Sequence, residues 1–185
     1  MNAVVLMRAV WATIGLGCLA IGGAFAQEAT NPSDKTLAGT PRNDLSVTRH
    51  GDWDLVCAKA GKPCMMVQIG KDSQGTPILE MRVRKLPEAR EIEGRQIIAV
   101  TEILTPLGVM LVPGIELQVD LGPVYSANYQ LCMENGCLVS EPLADDTIKA
   151  FKAGSKAAVS LIAAQKGEVR ATVSLKGFTK AFGGL

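Results

Sequence analysis

Histidine is almost absent from this chain: His50 is the only one in 185 residues, and aromatic side chains make up only 4%. Most metal centres and acid–base relays built on histidine draw on two or three imidazoles, or on one held against a paired nucleophile, and so have little to stand on here. Neither sign of charge predominates. Lys and Arg number 19 against 18 Asp and Glu, which removes the electrostatic footprint of a nucleic-acid binder. The motifs H-E-x-x-H, G-x-S-x-G, S-x-x-K and G-x4-G-K-[ST] do not occur, nor does a C-x-x-C pair, so the familiar zinc-protease, serine-hydrolase, nucleotide and redox signatures are missing. Internal repeats and low-complexity segments are missing as well. What remains is a chain 48% apolar and 20% charged, the composition of a folded globular domain rather than of a disordered segment.

The N-terminus has a grammar of its own. Arg8 is followed by an uncharged run from Ala9 to Gln27 that closes on Ala24-Phe25-Ala26. A basic start, an apolar middle and small residues at the cut are the marks of a secretory signal peptide, cleaved after Ala26. Two alternatives are an uncleaved anchor and a lipoprotein modified at Cys18. Gly15, Gly17, Gly22 and Gly23 weigh against the anchor, and the apolar run continuing past Cys18 weighs against lipidation. Residues 1–26 are therefore read as signal peptide, 27–45 as a flexible polar leader and 46–185 as one domain. The protein is expected in the periplasm or cell envelope. Loss of Arg8 leaves basic and acidic side chains equal in number.

Four cysteines follow the signal: Cys57, Cys64, Cys132 and Cys137. An even number in an exported chain reads as disulfides. Three connectivities are possible, and the spacings favour Cys57 with Cys64 and Cys132 with Cys137, because each pair flanks a short turn. Asn135-Gly136 inside the second pair is a strong hairpin signal. Loops this small give roughly 2–2.5 kcal/mol each in the chain-entropy model. Four thiolates on one zinc would be the sharper reading, but the spacings are not those of a zinc knuckle and the compartment is oxidising.

The body alternates with period two. Trp53, Leu55 and Cys57 share a face opposite Asp52 and Asp54. Leu79, Met81 and Val83 alternate with Glu80, Arg82 and Arg84. Ile115, Leu117 and Val119 alternate likewise, as do Val169, Ala171, Val173 and Leu175. One wet and one buried face is the mark of antiparallel sheets. Turn signals at 70–76, 87–94, 105–108, 113–114, 122–123, 135–136 and 165–167 divide the chain into about eight to ten strands, the spacing of a sandwich or barrel. One helix interrupts them near 145–153, capped by Asp145 or Asp146, stapled by Leu143 and ended by Gly154. A last short helical turn is expected over 177–182.

Candidate chemistry is sparse. His50 sits among Arg49, Asp52 and Asp54, where an aspartate could orient it, but a solvated turn histidine is the plainer reading. Asp145 and Asp146 read as helix caps rather than acid–base groups. Glu88, Arg90, Glu91, Glu93 and Arg95 read as a solvated mixed-sign loop. Met65, Met66, Met81, Met110 and Met133 read as core filling rather than copper ligands. The segment Ile103 to Ile115 carries no charge, and Pro106, Gly108 and Pro113 prevent a spanning helix. It is expected to be a strand buried on both faces, with Met110 in the core. The alternative is an exposed loop that docks a partner, with Leu107 as the contact.

Several segments resemble the invasion-associated locus B family. Gly51-Asp52-Trp53 with Cys57, followed by Cys64-Met65-Met66-Val67-Gln68, is similar to the family's start. Pro106-Leu107-Gly108-Val109 with Pro113-Gly114-Ile115 and Asp120 is similar to its central motif. Cys132-x4-Cys137 resembles its cysteine hairpin, and Ser174-Leu175-Lys176-Gly177-Phe178-Thr179-Lys180-Ala181 its C-terminal signature. The resemblance implies an immunoglobulin-like antiparallel β-sandwich, export, association with the cell envelope, and no established catalytic residues, metal or cofactor. The expected activity is non-enzymatic binding of an envelope or host protein, glycan or lipid, with host-cell association as the family name suggests. A periplasmic chaperone or inhibitor, and a hydrolase or redox enzyme with an unrecognised site, are the alternatives.

Overall fold

The structure, a computed structural model, describes residues 44–185. The signal-peptide cleavage, Cys18 and the leader up to residue 43 lie outside them. The described chain is an antiparallel β-sandwich with two short helices. In chain order come β1 (Leu45–His50), β2 (Trp53–Ala58), β3 (Cys64–Lys71), β4 (Pro77–Ile92), β5 (Arg95–Thr105), β6 (Ile115–Val119), β7 (Val124–Ala127), β8 (Tyr129–Met133) and β9 (Gly136–Ala144). They are followed by α1 (Asp145–Ala153), β10 (Lys156–Ala163), β11 (Gly167–Ser174) and α2 (Phe178–Gly184).

The strands order themselves as β7-β6-β10-β11-β3-β4-β5-β9-β8, with β1 and β2 branching from β3. The branch has a simple cause. One edge of β3 pairs with β4. The other pairs with β2 over Cys64–Val67 and then, past Gly70, with β11 at Lys71. A register shift between Gly70 and Lys71 turns the strand as it passes from one partner to the other, the usual role of a bulge. At the far side β7 pairs with β6 and β8 with β9, and only Asn128 separates β7 from β8. The two ends of the path are thus consecutive in the chain, and the sheet nearly closes on itself.

The alternation predicted for the core is observed. Trp53, Met66, Met81, Val83, Ile103, Ile115, Val139, Val159 and Val173 are fully buried in one cluster. α1 forms at Asp145–Ala153 and buries Ile148 and Phe151. Its cap differs from expectation. Ala144 holds the N-cap position and no side chain bonds there. The Asp146 carboxylate instead accepts from the N–H of Thr147 at 2.7 Å and from Arg95 of β5 at 2.9 Å, which holds its pKa below the ordinary aspartate value, Arg95 being the main cause. Gly154 ends the helix in an extended rather than left-handed conformation, its N–H donating to the Ala150 carbonyl. α2 covers the open end of the core, where Phe178 meets Trp53 and Phe151 edge-on at 5.3 Å each and stacks near Phe182.

Two readings of the chain are corrected. The expected turn over 87–94 is the continuation of β4. A register shift between Lys85 and Arg90 absorbs Pro87, so Glu88, Arg90 and Glu91 lie on an exposed strand of a long hairpin that turns at Glu93-Gly94. The expected doubly buried strand over 103–115 does not form. β5 ends at Thr105, β6 starts at Ile115, and residues 106–114 join them as a loop.

Candidate functional site

Two regions of the surface could do work: a polar groove at the β3 branch and the loop at 106–114.

The groove opens where, along β3, pairing with the start of β2 gives way to pairing with the end of β11. It holds about 710 Å³ and is lined by Arg49, Asp52, Asp54, Ile69, Lys71, Asp72, Thr172 and Ser174, among others. Its floor is a seam that replaces backbone pairing with one side chain. The Gln68 amide donates to the carbonyls of Asp52 (3.0 Å) and Ser174 (2.9 Å), and its oxygen accepts from the Ser174 N–H at 2.6 Å. Trp53 Nε1 donates to the same Ser174 carbonyl at 2.9 Å. Ser174 Oγ donates to the Asp52 carboxylate at 2.7 Å and accepts from the Lys176 N–H at 3.2 Å. A primary amide presents a donor and an acceptor side by side, as a peptide group does, so Gln68 spans the gap between two strands that do not pair with each other. It is accordingly buried, at 7% exposure.

Beside the seam the two flanking turns press backbone to backbone. Gly51 (φ 60°) and Gly177 (φ 90°) are both left-handed. A Cβ on Gly177 would sit 2.0 Å from the His50 carbonyl oxygen, and one on Gly51 would sit 2.5 Å from that of Lys176. Glycine is required on both counts. Gly51-Asp52-Trp53, Gln68 and Ser174-Leu175-Lys176-Gly177, which lie in three distant parts of the sequence, are therefore one structural joint.

The chemistry available in the groove is limited. Arg49 pairs with Asp54 and Asp52 with Ser174, so neither aspartate orients His50. Among the described residues the His50 side chain makes no hydrogen bond, and it stands at the β1–β2 turn with no nucleophile hydrogen-bonded to it. The Asp72 carboxyl is held below the usual aspartate range, chiefly by the N–H of Thr76, with that of Gln74 adding to it. This is a turn-closing bond at the β3–β4 corner. Among the described residues no three His, Cys, Asp or Glu side chains gather as a metal site.

The loop at 106–114 lies at the end of the sandwich away from α2. Main-chain bonds fasten it to β10: the N–H of Met110 donates to Ile162 O at 2.7 Å, and that of Ala164 to Gly108 O at 2.8 Å. Val109 turns inward against the core and bridges to Ala163. Its neighbours turn outward. Leu107 is 57% exposed, Leu111 50%, Met110 47% and Val112 93%. Met110 is thus a surface residue and not core, as is Met133, while Met66 and Met81 are fully buried. The reason for Met110 is register: the loop follows the edge of β10 and has no second sheet over its outer face. Leu131 on β8 lies opposite Leu138 on β9, which lies opposite Leu104 on β5, a cross-strand row of leucines.

The cysteines brace two strand pairs. Cys57 and Cys64 are bonded across β2 and β3, and Cys132 and Cys137 across β8 and β9, each at directly opposed positions. Disulfides of this kind belong to an oxidising, extracytoplasmic compartment.

Gln68 is the residue that sequence patterns did not single out. Its position on the inward face of β3, between Met66 and Gly70, was the available signal. A polar side chain in an apolar register demands buried partners.

Compared with known proteins, residues 53–185 match the family model described as invasion associated locus B (IalB) protein. No curated protein matches the chain. Among solved structures, the crystal structure of invasion associated protein b from Bartonella henselae superposes with a TM-score of 0.58 at 23% identity. The match covers 75% of this chain and 94% of that one.

Proposed function

Because this chain belongs to the invasion associated locus B family, we propose that it is an exported envelope protein that acts by binding, without covalent chemistry, and that the loop at 106–114 is its docking surface. The observation that carries this reading is the exposure of Leu107, Met110, Leu111 and Val112 on one uncharged, backbone-anchored loop. Apolar side chains grouped on a surface mark a contact site, and the backbone anchors reduce the ordering cost of binding. A near-neutral chain has little net field to steer a partner from a distance, so recognition is short-ranged. The partner is a protein of the envelope or of a host cell with an apolar surface of its own. In this reading His50 is a turn residue, and no metal or cofactor is called for.

The test is the double substitution Leu107→Asp and Met110→Asp in the exported protein. Both side chains are exposed, so the variant keeps its melting temperature within a few degrees. It loses the protein captured by cross-linking from intact cells. Capture of the same protein by the variant would refute the docking surface, and capture of glycan or lipid alone would refute a protein partner. Turnover of a peptidoglycan, ester or thiol substrate that disappears in His50→Ala would refute the non-enzymatic reading. A holdase role for the same loop would show as suppressed aggregation of unrelated unfolded proteins, lost in the double variant.

A further inference from the structure

β1 is an edge strand. Among the described residues it pairs with β2 alone, in unbroken register from Leu45 opposite Ala58 to His50 opposite Trp53. Its other side presents a row of free N–H and C=O groups, ready to pair with another chain. The remaining stretches of free edge are guarded. β4 beyond Lys85 holds Pro87, Glu88, Arg90 and Glu91. β9 beyond Val139 holds Pro142, and the Gln130 side-chain amide bonds both the N–H and the carbonyl of Ser140. β7 is four residues long behind Pro123, and β8 is five residues long with a register shift. β11 ahead of Thr172 carries Glu168 and Arg170. Proline, charge, shortness and irregularity are the devices that keep an edge from pairing with other chains. β1 has no proline and no shift, and the charge of Arg49 is tied to Asp54 of β2.

The polarity of β1 is also reversed. Register sets Ser46, Thr48 and His50 opposite Cys57, Leu55 and Trp53, on the side of the core, and turns Leu45 and Val47 to the outer face opposite Ala58 and Val56. Val47 is 62% exposed. It begins a row that continues through Val56 of β2 to Met65 of β3, and that row stops at the free edge. A second copy of the same strand completes it. A two-fold axis normal to the sheet keeps each face continuous, so it has to pass beside one residue that then opposes itself. Centred on Val47, the antiparallel register gives every residue from Leu45 to His50 an opposite between Asp44 and Arg49 of the copy. Val47 meets Val47, Ser46 meets Thr48, and the acidic end of the strand at Asp44 meets the basic end at His50 and Arg49. No like charges fall opposite each other, and the charges of the two edges are complementary.

We propose that β1 is a self-association edge: two copies of this chain join β1 to β1 antiparallel about a two-fold axis at Val47, independently of the loop at 106–114. The occupant of the edge is a second copy of this chain, and the apolar row Met65–Val56–Val47 runs on into its own image across the axis. Main-chain bonds supply the attraction and the valine pair sets the register. The contact is one strand wide, which places the dimer among weak, concentration-dependent ones.

The experiment is sedimentation of the folded mature chain over about 10 µM to 1 mM, with amide hydrogen exchange at both ends of that range. The expected result is a monomer–dimer equilibrium in which protection of the β1 amides rises with concentration. Val47→Lys sets two ammonium groups opposite each other at an exposed position. It should keep the melting temperature and weaken dimerisation about tenfold or more, a ratio of about 1.4 kcal/mol. Val47→Cys tests the register. Cys57, Cys64, Cys132 and Cys137 are already bonded in pairs, so the added thiol is free to react. Directly opposed residues lie about 4.5–5.5 Å apart between Cα atoms, within reach of a disulfide, whereas a diagonal pair lies about 7–8 Å apart. On mild oxidation Val47→Cys should therefore give a covalent dimer, and Ser46→Cys and Thr48→Cys should not. Equal linkage of all three variants, which marks random collision, overturns the proposal. So does a dimer that survives Val47→Lys unchanged, or a chain that stays monomeric at 1 mM on this scale. Full protection of β1 in such a monomer would show that residues 27–43 of the same chain, and not a second copy, cover the edge.

Discussion

Replacing Gln68 by Met keeps the size of the side chain and removes its polar end. In the wild type that end makes bonds of 3.0, 2.9 and 2.6 Å to Asp52 O, Ser174 O and Ser174 N. The three losses are unequal. Ser174 O keeps its bond from Trp53 Nε1, and Asp52 is exposed enough for its carbonyl to find water. The Ser174 N–H lies in the half-buried seam with nothing in reach to replace the glutamine oxygen. An unsatisfied buried donor costs about 1–3 kcal/mol and each lost net hydrogen bond about 0.5–1.5, while the added apolar contact of Met offsets part of this. The expected loss is about 2–4 kcal/mol, a fall of roughly 5–15 °C in Tm for a domain of this size. Thermal unfolding by circular dichroism gives the total, and amide hydrogen exchange gives the place. Protection should drop first at Ser174 and Lys176, where β11 leaves the seam, and persist in β4 and β5. Gln68→Glu adds a second test. Its carboxylate can still accept from Ser174 N–H but faces two carbonyls, so it is less stable than Gln68→Met at neutral pH and recovers as the acid protonates. A Gln68→Met protein melting within about 1 °C of wild type, with unchanged protection at Ser174, would refute the seam.

Trp53→Ala removes a fully buried ring and the bond to Ser174, and is expected to cost about 3–5 kcal/mol; an unchanged melting curve would make Trp53 a surface recognition residue instead. Gly177→Ala forces a Cβ against the His50 carbonyl at 2.0 Å and strains a left-handed backbone, so it should destabilise by at least about 1–3 kcal/mol in chemical denaturation, whereas Gly183→Ala, with open space around it, should not. Replacing the Cys132–Cys137 pair by Ala should lower stability by about 2–2.5 kcal/mol without changing the fold, and non-reducing peptide mapping of wild type should find no peptide joining Cys57 to Cys132 or Cys137. Burial raises the Glu141 carboxyl above its ordinary value of 4.5, so ionisation of this group works against folding. Glu141→Gln should therefore raise Tm at neutral pH, and the gain should vanish once the pH falls below 4.5, where the carboxyl is protonated in folded and unfolded chains alike.

The parts of the fold legible in the residues are those that depend on neighbours in sequence. Leu79, Met81 and Val83 announce a strand with one wet face because side-chain direction alternates along any extended chain. Ile148, Phe151 and Gly154 announce α1 for the corresponding helical reason. The Asn135-Gly136 turn sets Cys132 opposite Cys137 within a few residues. By contrast, Pro87 looked like the end of β4 because local rules place proline at breaks, and only pairing with β5 on both sides of the bulge carries the strand past it.

What the tertiary structure decided is where distant pieces meet. The absence of charge between Ile103 and Ile115 is equally compatible with core and with surface. Exposure of Met110 and Leu107 follows from the loop lying along β10 with no layer above it. The same holds for the seam. Gly51-Asp52-Trp53, Gln68 and Ser174 to Gly177 could be noted as a resemblance, but their common purpose needs β3 to take two partners on one edge and leave a gap that an amide can span. Lys85 of β4 and Lys152 of α1 meet over the Phe182 ring, and no pattern along the chain ties them together. Local sequence sets which face of each element is wet, since that depends on alternation alone. Contacts between elements depend on register, branching and closure of the whole sheet, which no short window of sequence contains.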